Sequence, residues 1–410
     1  MENTPPFITP LWEIRNYMSN KLLSIIIPAR SEAQNVSFTI YSIIHCLEAD
    51  GFTPDQWECI IVNNCSEDWK HPKFDWNKPG ALGTTSYLMP RGGFYTGSVR
   101  VIYDPIAGNH SARNTGAKIA KGKYLYFSDA HVAIKPGFFK SILGTVEKHG
   151  GLVFGSLQTM GAYPPSPSSM GYQYTWKLGD ECRQTWANYQ LADTPWFIIG
   201  QGAWGMACTK AYFDSIGGYE HYHRTYGGEF YLTSKAWMTG GTVMVDPRAI
   251  GYHLGAARSY GYDHLDYVAN ILNLLYALGA DSWRERTYIN YLRSKNKDSL
   301  DRIMAEGEKV FANDRAKILK KAKYSFDDLL IQKPWDKKNM ELYGKSNCGT
   351  LVFHWSWLEL IKESPIALEA YKNSKYQKEL GEFIEKELST VIYKGDKYTE
   401  EKKQELRNLI

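Results

Sequence analysis

The feature that most constrains this chain is the regular alternation, from Leu22 onward, of short apolar runs with helix-spaced segments. LLSIIIP (22–28) is a continuous apolar run rich in isoleucine, the composition of a parallel strand buried on both faces. In Asn35–Ala49 the apolar residues Val36, Ile40, Ile43, Ile44 and Leu47 recur at helical spacing. WECIIVNN (57–64), VRVIYD (99–104) and KYLYFSDAH (123–131) read as further strands, and SARNTGAKIAKG (111–122) as a helix closed by Gly122. Strand and helix alternating in this way predict an α/β fold with a doubly wound sheet. Ligands of such sheets bind at the carboxyl ends of the strands. That rule gathers Pro28–Glu32, Asn63–Asp68 and Asp129–His131 at one rim.

The rest of the chain is less regular. Residues 156–200 are rich in Pro, Ser and aromatics, which predicts a long loop with one helix around Lys177–Tyr189. A helix is expected over Phe230–Thr239, then a strand over Thr242–Val245 leading into the loop GYHLGAARSYGYDH. Beyond Asp266 the pattern is mostly helical, ending in charged amphipathic helices. The resulting division is an arm (1–20), an α/β domain (21–265, its halves meeting at 131/132) and a helical region (266–410).

With 43% hydrophobic and 22% charged residues, the 410-residue chain is neither disordered nor a coiled coil. Its six cysteines form no C-x-x-C pair, which reads as free thiols in a reducing compartment. The first twenty residues lack a basic segment followed by an apolar one, and no run reaches the roughly 18–20 apolar residues of a membrane span. The expectation is a soluble, cytoplasmic protein.

Chemistry concentrates at Asp129-Ala130-His131. Strand alternation would put Asp129 and His131 on the same side, where a carboxylate oxygen and an imidazole nitrogen can share a divalent cation, Mn²⁺ suiting the mixed donor set. The same tripeptide also reads as a strand-end Asp capping a turn beside a surface His; the residues alone leave both open.

The longer pattern narrows this. SIIIPARSEAQN, WECIIVNNCSEDW and GNHSARNTGAKIAKGKYLYFSDAH resemble the nucleotide-binding half of the family 2 glycosyltransferases of the GT-A fold. GAWGMACTKAYFDSIGGYEHYHRTYGGEFYLTSKAWMTGG looks like their acceptor-side segment, and the likeness spans about residues 22–255. Asp-x-His in place of Asp-x-Asp, with Gly-Gly-Glu and a later His, is similar to the polypeptide N-acetylgalactosaminyltransferase branch.

The resemblance implies a GT-A domain with a helical C-terminal extension, a nucleotide-sugar donor (a UDP-sugar) and a divalent cation such as Mn²⁺. It implies Asp129, His131 and His253 as metal ligands, His253 arriving from the loop after Thr242–Val245. Ala29 and Glu32 would edge the nucleoside pocket, Asn63 would pair with a base edge, and Arg113 would reach the base or diphosphate. Trp204 would pack under the sugar or acceptor, and Arg258, Tyr260 and Tyr262 would form a flap between hinge glycines. Glu229 would meet the acceptor hydroxyl or donor sugar. The residue after it is Phe230, where inverting relatives carry an aspartate base, so either Glu229 is the base or the reaction retains configuration, toward which the reading leans.

The acceptor is weakly signalled. Arg284–Lys323 holds twelve Lys/Arg against six Asp/Glu, and the chain carries 29 Tyr, 16 Phe and 13 Trp. Together these suit a phosphate track on DNA carrying a hydroxymethylated base, or equally an ordinary solvated helical face. A glycan or peptide acceptor, and a catalytically silent sugar-nucleotide-binding module, are the other readings.

Overall fold

The structure, a computed structural model, describes residues 21–64, 98–105, 108–160, 169–176, 183–188, 194–202, 204–220, 228–254, 263–292, 294–332, 334–344, 352–353 and 364–379, with short stretches at 381–382, 392–393, 396–397, 404 and 408. In chain order the first half runs β1 (Leu23–Ala29), α1 (Ala33–Ala49), β2 (Trp57–Asn64), β3 (Val99–Asp104), α2 (Asn109–Ile119), β4 (Tyr124–Phe127), β5 (Val132–Ile134) and α3 (Phe138–His149). β6 (Leu152–Met160), β7 (Ser169–Trp176), β8 (Arg183–Asn188), β9 (Trp196–Phe197), β10 (Met206–Thr209), α4 (Lys210–Ser215), α5 (Glu229–Met238) and β11 (Val243–Leu254) follow. The C-terminal region holds α6 (His264–Ala277), α7 (Asp281–Tyr291), α8 (Lys297–Lys321), α9 (Phe326–Gln332), α10 (Pro334–Tyr343), β12 (Val352–Phe353) and α11 (Pro365–Lys372).

β3, β2, β1 and β4 lie side by side and parallel, and β10 then joins β4 antiparallel and carries the sheet on to β6. The sheet is therefore mixed, parallel where the apolar runs are continuous. Leu23, Ile25, Ile26, Ile27, Ile60, Ile61 and Val62 are fully buried, each such side chain contributing about 1.5–3 kcal/mol. Helix α2 lies close on β1: a Cβ at Gly116 would meet Ile26 Cγ2 at 2.5 Å, so only glycine allows this approach. The N-terminal end of α2 is tied to neighbouring strands. Gly108 N–H donates to Asn64 Oδ1 (2.8 Å), and Ser111 and Thr115 hydroxyls donate to Asp104 Oδ2. Helix α1 is fastened to β5, with Val132 and Ile134 N–H donating to Thr39 and Ser42 hydroxyls, each at 2.9 Å.

Three expectations change. β4 ends at Phe127, so Asp129-Ala130-His131 is a turn between β4 and β5, and strand alternation does not place its side chains. The stretch 156–200 is strand-rich: β6, β7 and β8 pair antiparallel in turn, and Arg183–Asn188, expected helical, is a strand. Its Tyr, Trp and Thr residues suit a pleated surface better than a helix. β11 runs on to Leu254 where a loop was expected after Val245. It pairs parallel with β6, with a bulge between Asp246 and Ile250 that holds Pro247.

The helical region is continuous with the sheet domain. Ile271, Leu274, Trp283, Phe311, Ile318 and Trp335 belong to the same buried cluster as β1 and β4. β12 pairs with β7, and Lys323 N–H donates to Met238 O at 2.6 Å. Where the last residues were expected to be helical, Ile392–Tyr393 pairs antiparallel with Asp396–Lys397. Among the described residues no helix is long and apolar enough to cross a membrane.

Candidate metal and donor site

The turn after β4 and the end of β11 bring three donors together. One ligand atom each of Asp129, His131 and His253 lies within 4.8 Å of the others. His131 Nε2 is 3.1 Å from His253 Nε2, and His253 Nε2 is 3.3 Å from Asp129 Oδ2. Adjacent ligands of an octahedral cation bound at about 2.1–2.2 Å lie about 3 Å apart. One carboxylate and two imidazoles at this spacing fit a divalent cation of the Mn²⁺ type. His253 comes from the strand, not from a loop: it pairs with Val132 of β5, and Leu254 N–H donates to His131 O at 3.0 Å. One antiparallel ladder thus fixes both histidines.

The surrounding groups prepare these donors. Glu32 Oε1 lies 3.1 Å from His131 Nδ1, and Glu32 Oε2 accepts from Asn35 Nδ2 at 2.8 Å. A carboxylate holding Nδ1–H leaves Nε2 with its lone pair facing the cluster. Glu32, expected to edge the nucleoside pocket, has one oxygen behind a candidate ligand and the other on Asn35. Ser31 beside it has a φ of +54°, a conformation few non-glycine residues adopt. Arg113 Nη2 donates to Asp129 Oδ1 at 2.8 Å. Burial works against charge on Asp129, but the His253 hydrogen bond and the positive charge of Arg113 outweigh it and hold its carboxyl well below the usual range.

Arg113 itself is buried, so the expected contact with base or diphosphate falls to its Nε and Nη1, which have no hydrogen-bond partner among the described residues. Ala29 and Asn63 are neighbours in the β1–β2 ladder at the carboxyl-end rim, both largely buried. Trp204 is 3% exposed and packs with Val132 and Leu157. Its ring lies over Gly251, where a Cβ would meet Trp204 Cζ3 at 2.4 Å. This is an apolar seat under the strand that carries His253. Glu229 opens α5 after Gly228, but its side chain lies outside the described residues, as do Arg258, Tyr260 and Tyr262.

The basic stretch does not form one continuous outward track. Arg284 and Arg286 are buried, Arg284 donating to Leu272 O, Met304 O and Glu308. Arg315 binds Asp281 through both terminal nitrogens, at 2.8 and 2.6 Å. Contacts between helices thus engage Arg284 and Arg315.

Comparison with known proteins bears on the fold. The profile of Glycosyl transferase family 2 matches residues 88–177. A putative polypeptide N-acetylgalactosaminyltransferase 13 of Drosophila melanogaster is 22% identical over 147 residues, covering 33% of this chain and 26% of its own length. GalNAc-T7, solved with UDP, GalNAc and Mn²⁺, superposes with a TM-score of 0.56 at 17% identity, covering 78% of this chain and 58% of that one. Staphylococcus aureus TarS with UDP-GlcNAc is more remote, with a TM-score of 0.43 at 15% identity over 89% of this chain and 81% of its own. The chain thus spans about a quarter of the curated relative and under two thirds of GalNAc-T7. The chain thus has a GT-A type of fold, similar to that of GalNAc-T7, and its residues 88–177 match the model of Glycosyl transferase family 2.

Proposed function

We propose that this chain is a divalent-metal-dependent glycosyltransferase that moves a sugar from a UDP-sugar to an acceptor hydroxyl. The observation that carries the proposal is the Asp129–His131–His253 cluster at the carboxyl-end rim, with Arg113 against its carboxylate. A cation bound there would neutralise the charge that builds on the nucleoside diphosphate as the sugar–phosphate bond breaks. Glu32 keeps His131 in the tautomer that offers Nε2. Arg113 keeps Asp129 ionised and oriented, and its Nε–H and Nη1–H, without partners among the described residues, would supply positive charge beside the leaving diphosphate.

Retention of configuration is the stereochemistry this reading favours. Phe230 stands where an inverting base would follow Gly-Gly-Glu, and it is 1% exposed, packed into the core. With no carboxylate at that position, a donor phosphate oxygen would take the acceptor proton on the face the UDP leaves.

The test is a panel of UDP-sugars, including UDP-GalNAc and UDP-GlcNAc, assayed for Mn²⁺-dependent UDP release with EDTA and His131→Ala as controls. Release from at least one donor, lost in both controls, is expected, and NMR of the product then gives the anomeric configuration. A protein that binds neither Mn²⁺ nor UDP by calorimetry would overturn the reading.

A further inference from the structure

A second buried polar group lies on the same face of helix α2, one turn before Arg113. Glu220 Oε1 is 2.8 Å from His110 Nδ1, and both side chains are fully buried. The His110 ring lies on the Tyr219 ring, centroids 4.5 Å apart, and the Arg113 guanidinium is 5.8 Å from the centre of the same ring. Asn114 grips the Tyr219 backbone at both ends. Its Nδ2 donates to Tyr219 O (2.7 Å), and its Oδ1 accepts from Tyr219 N–H (2.9 Å). From the other side, Lys235 of α5 donates to Gly218 O. Gly218 has a φ of +58°, and a Cβ there would lie 2.7 Å from Asn114 Oδ1, so the turn admits glycine alone.

Three consecutive residues, Gly218–Glu220, are therefore held between α2 and α5. The same helix α2 holds the candidate metal ligand Asp129 through Arg113. A buried carboxylate is tolerated only with partners of this kind. Burial, with Arg113 and Lys235 nearby, pushes His110 well below its ordinary value, so the neutral ring donates Nδ1–H to Glu220. Eight residues after Glu220 the chain reaches Gly228 and the start of α5 at Glu229.

We propose that Asn114 and the His110–Glu220 pair form a latch that fixes the acceptor-side turn to the helix holding the metal carboxylate, making Glu220 and Asn114 positioning residues for transfer. The catalytic readout rests on the glycosyl-transfer reading; the latch also has a readout of its own, amide exchange at 217–220 and 228–231.

The experiment compares full-length Glu220→Ala, Glu220→Gln and Asn114→Ala with wild type. Three quantities are read: Mn²⁺ and UDP affinity by calorimetry, kcat and KM for UDP release from UDP-GalNAc or UDP-GlcNAc, and hydrogen–deuterium exchange. The alanine variants are expected to keep Mn²⁺ and UDP affinity and donor KM within about twofold. Their kcat should fall about tenfold or more, with faster exchange in both segments. Glu220→Gln, whose carbonyl still accepts from His110, should recover to within about threefold of wild type. If Glu220→Ala does not fold, Asn114→Ala carries the same expectations. An unchanged kcat, or Mn²⁺ affinity falling in step with kcat, would overturn the latch. If wild type neither binds UDP nor releases it, the glycosyl-transfer reading fails by itself. The latch is then judged on exchange, and unaltered protection at 228–231 would refute it.

Discussion

His131 sits between two demands, with Nδ1 committed to Glu32 and Nε2 turned toward His253. A ligand held in this way loses more from removal of the ring than from a change in the group behind it. His131→Ala is expected to weaken Mn²⁺ binding by more than about 100-fold, and Glu32→Gln by about 10–100-fold, the usual effect of removing a ligand's supporting carboxylate. Titration of Mn²⁺ by calorimetry checks both. If Glu32 served the nucleoside instead, Glu32→Gln would leave Mn²⁺ affinity unchanged and weaken UDP alone. Nothing near Glu32 in sequence marks this role, because its partner is 99 residues away. His253 is similarly silent as a sequence feature, at 122 residues from His131. The family pattern singled it out, whereas the fold supplies the ladder that delivers it.

Among the elements, β11 shows how backbone geometry serves the site. Gly251 lies two residues before His253 on the same face, and the Trp204 ring occupies the space a side chain would take. Gly251→Ala forces the ring or the strand aside, and overpacking of this kind costs about 1–3 kcal/mol. The expected outcome is a lower melting temperature with weaker Mn²⁺ binding, read by thermal unfolding with and without Mn²⁺. A variant that melts like wild type would contradict the packing. Elements whose burial is complete were legible in the sequence: β1 and β2 are built on the apolar runs Ile25–Ile27 and Cys59–Val62, and α2 carries the glycine that β1 requires. β8 was not, because Arg183–Asn188 shows no apolar run and gains its strand character from pairing with β7. The end of β11 was hidden by Pro247, which sits in the bulge and so leaves the ladder on either side intact.

Across the whole molecule, charge is drawn inward to tie the layers together. Lys235 of α5 is buried; burial brings its amine down to about 7, against the opposing pull of Asp314 on α8 and of Glu220, with Lys321 adding to the lowering. The unfolded lysine titrates near 10.5. Between these values the unfolded chain binds more protons, so this residue's contribution to stability rises with pH. The cost of its buried charge is fully present below pH 7. Relative to Lys235→Met, wild type is therefore expected to gain stability between pH 7 and 10, as measured by urea unfolding at several pH values. A gap that stays constant would contradict the assignment. The arginines of the basic stretch follow the same rule: Arg284 and Arg315 flank the Tyr276 ring at 4.7 and 4.6 Å, fastening α6, α7 and α8.

The irregularity between Asp246 and Ile250 works as an expansion joint. A change of one residue in chain length inside it is taken up locally, and the pairing of His253 with Val132 is preserved. The same change between Ile250 and His253 rotates the imidazole to the opposite side of the sheet. A one-residue deletion at 248 should therefore spare Mn²⁺ binding, while one at 252 abolishes it.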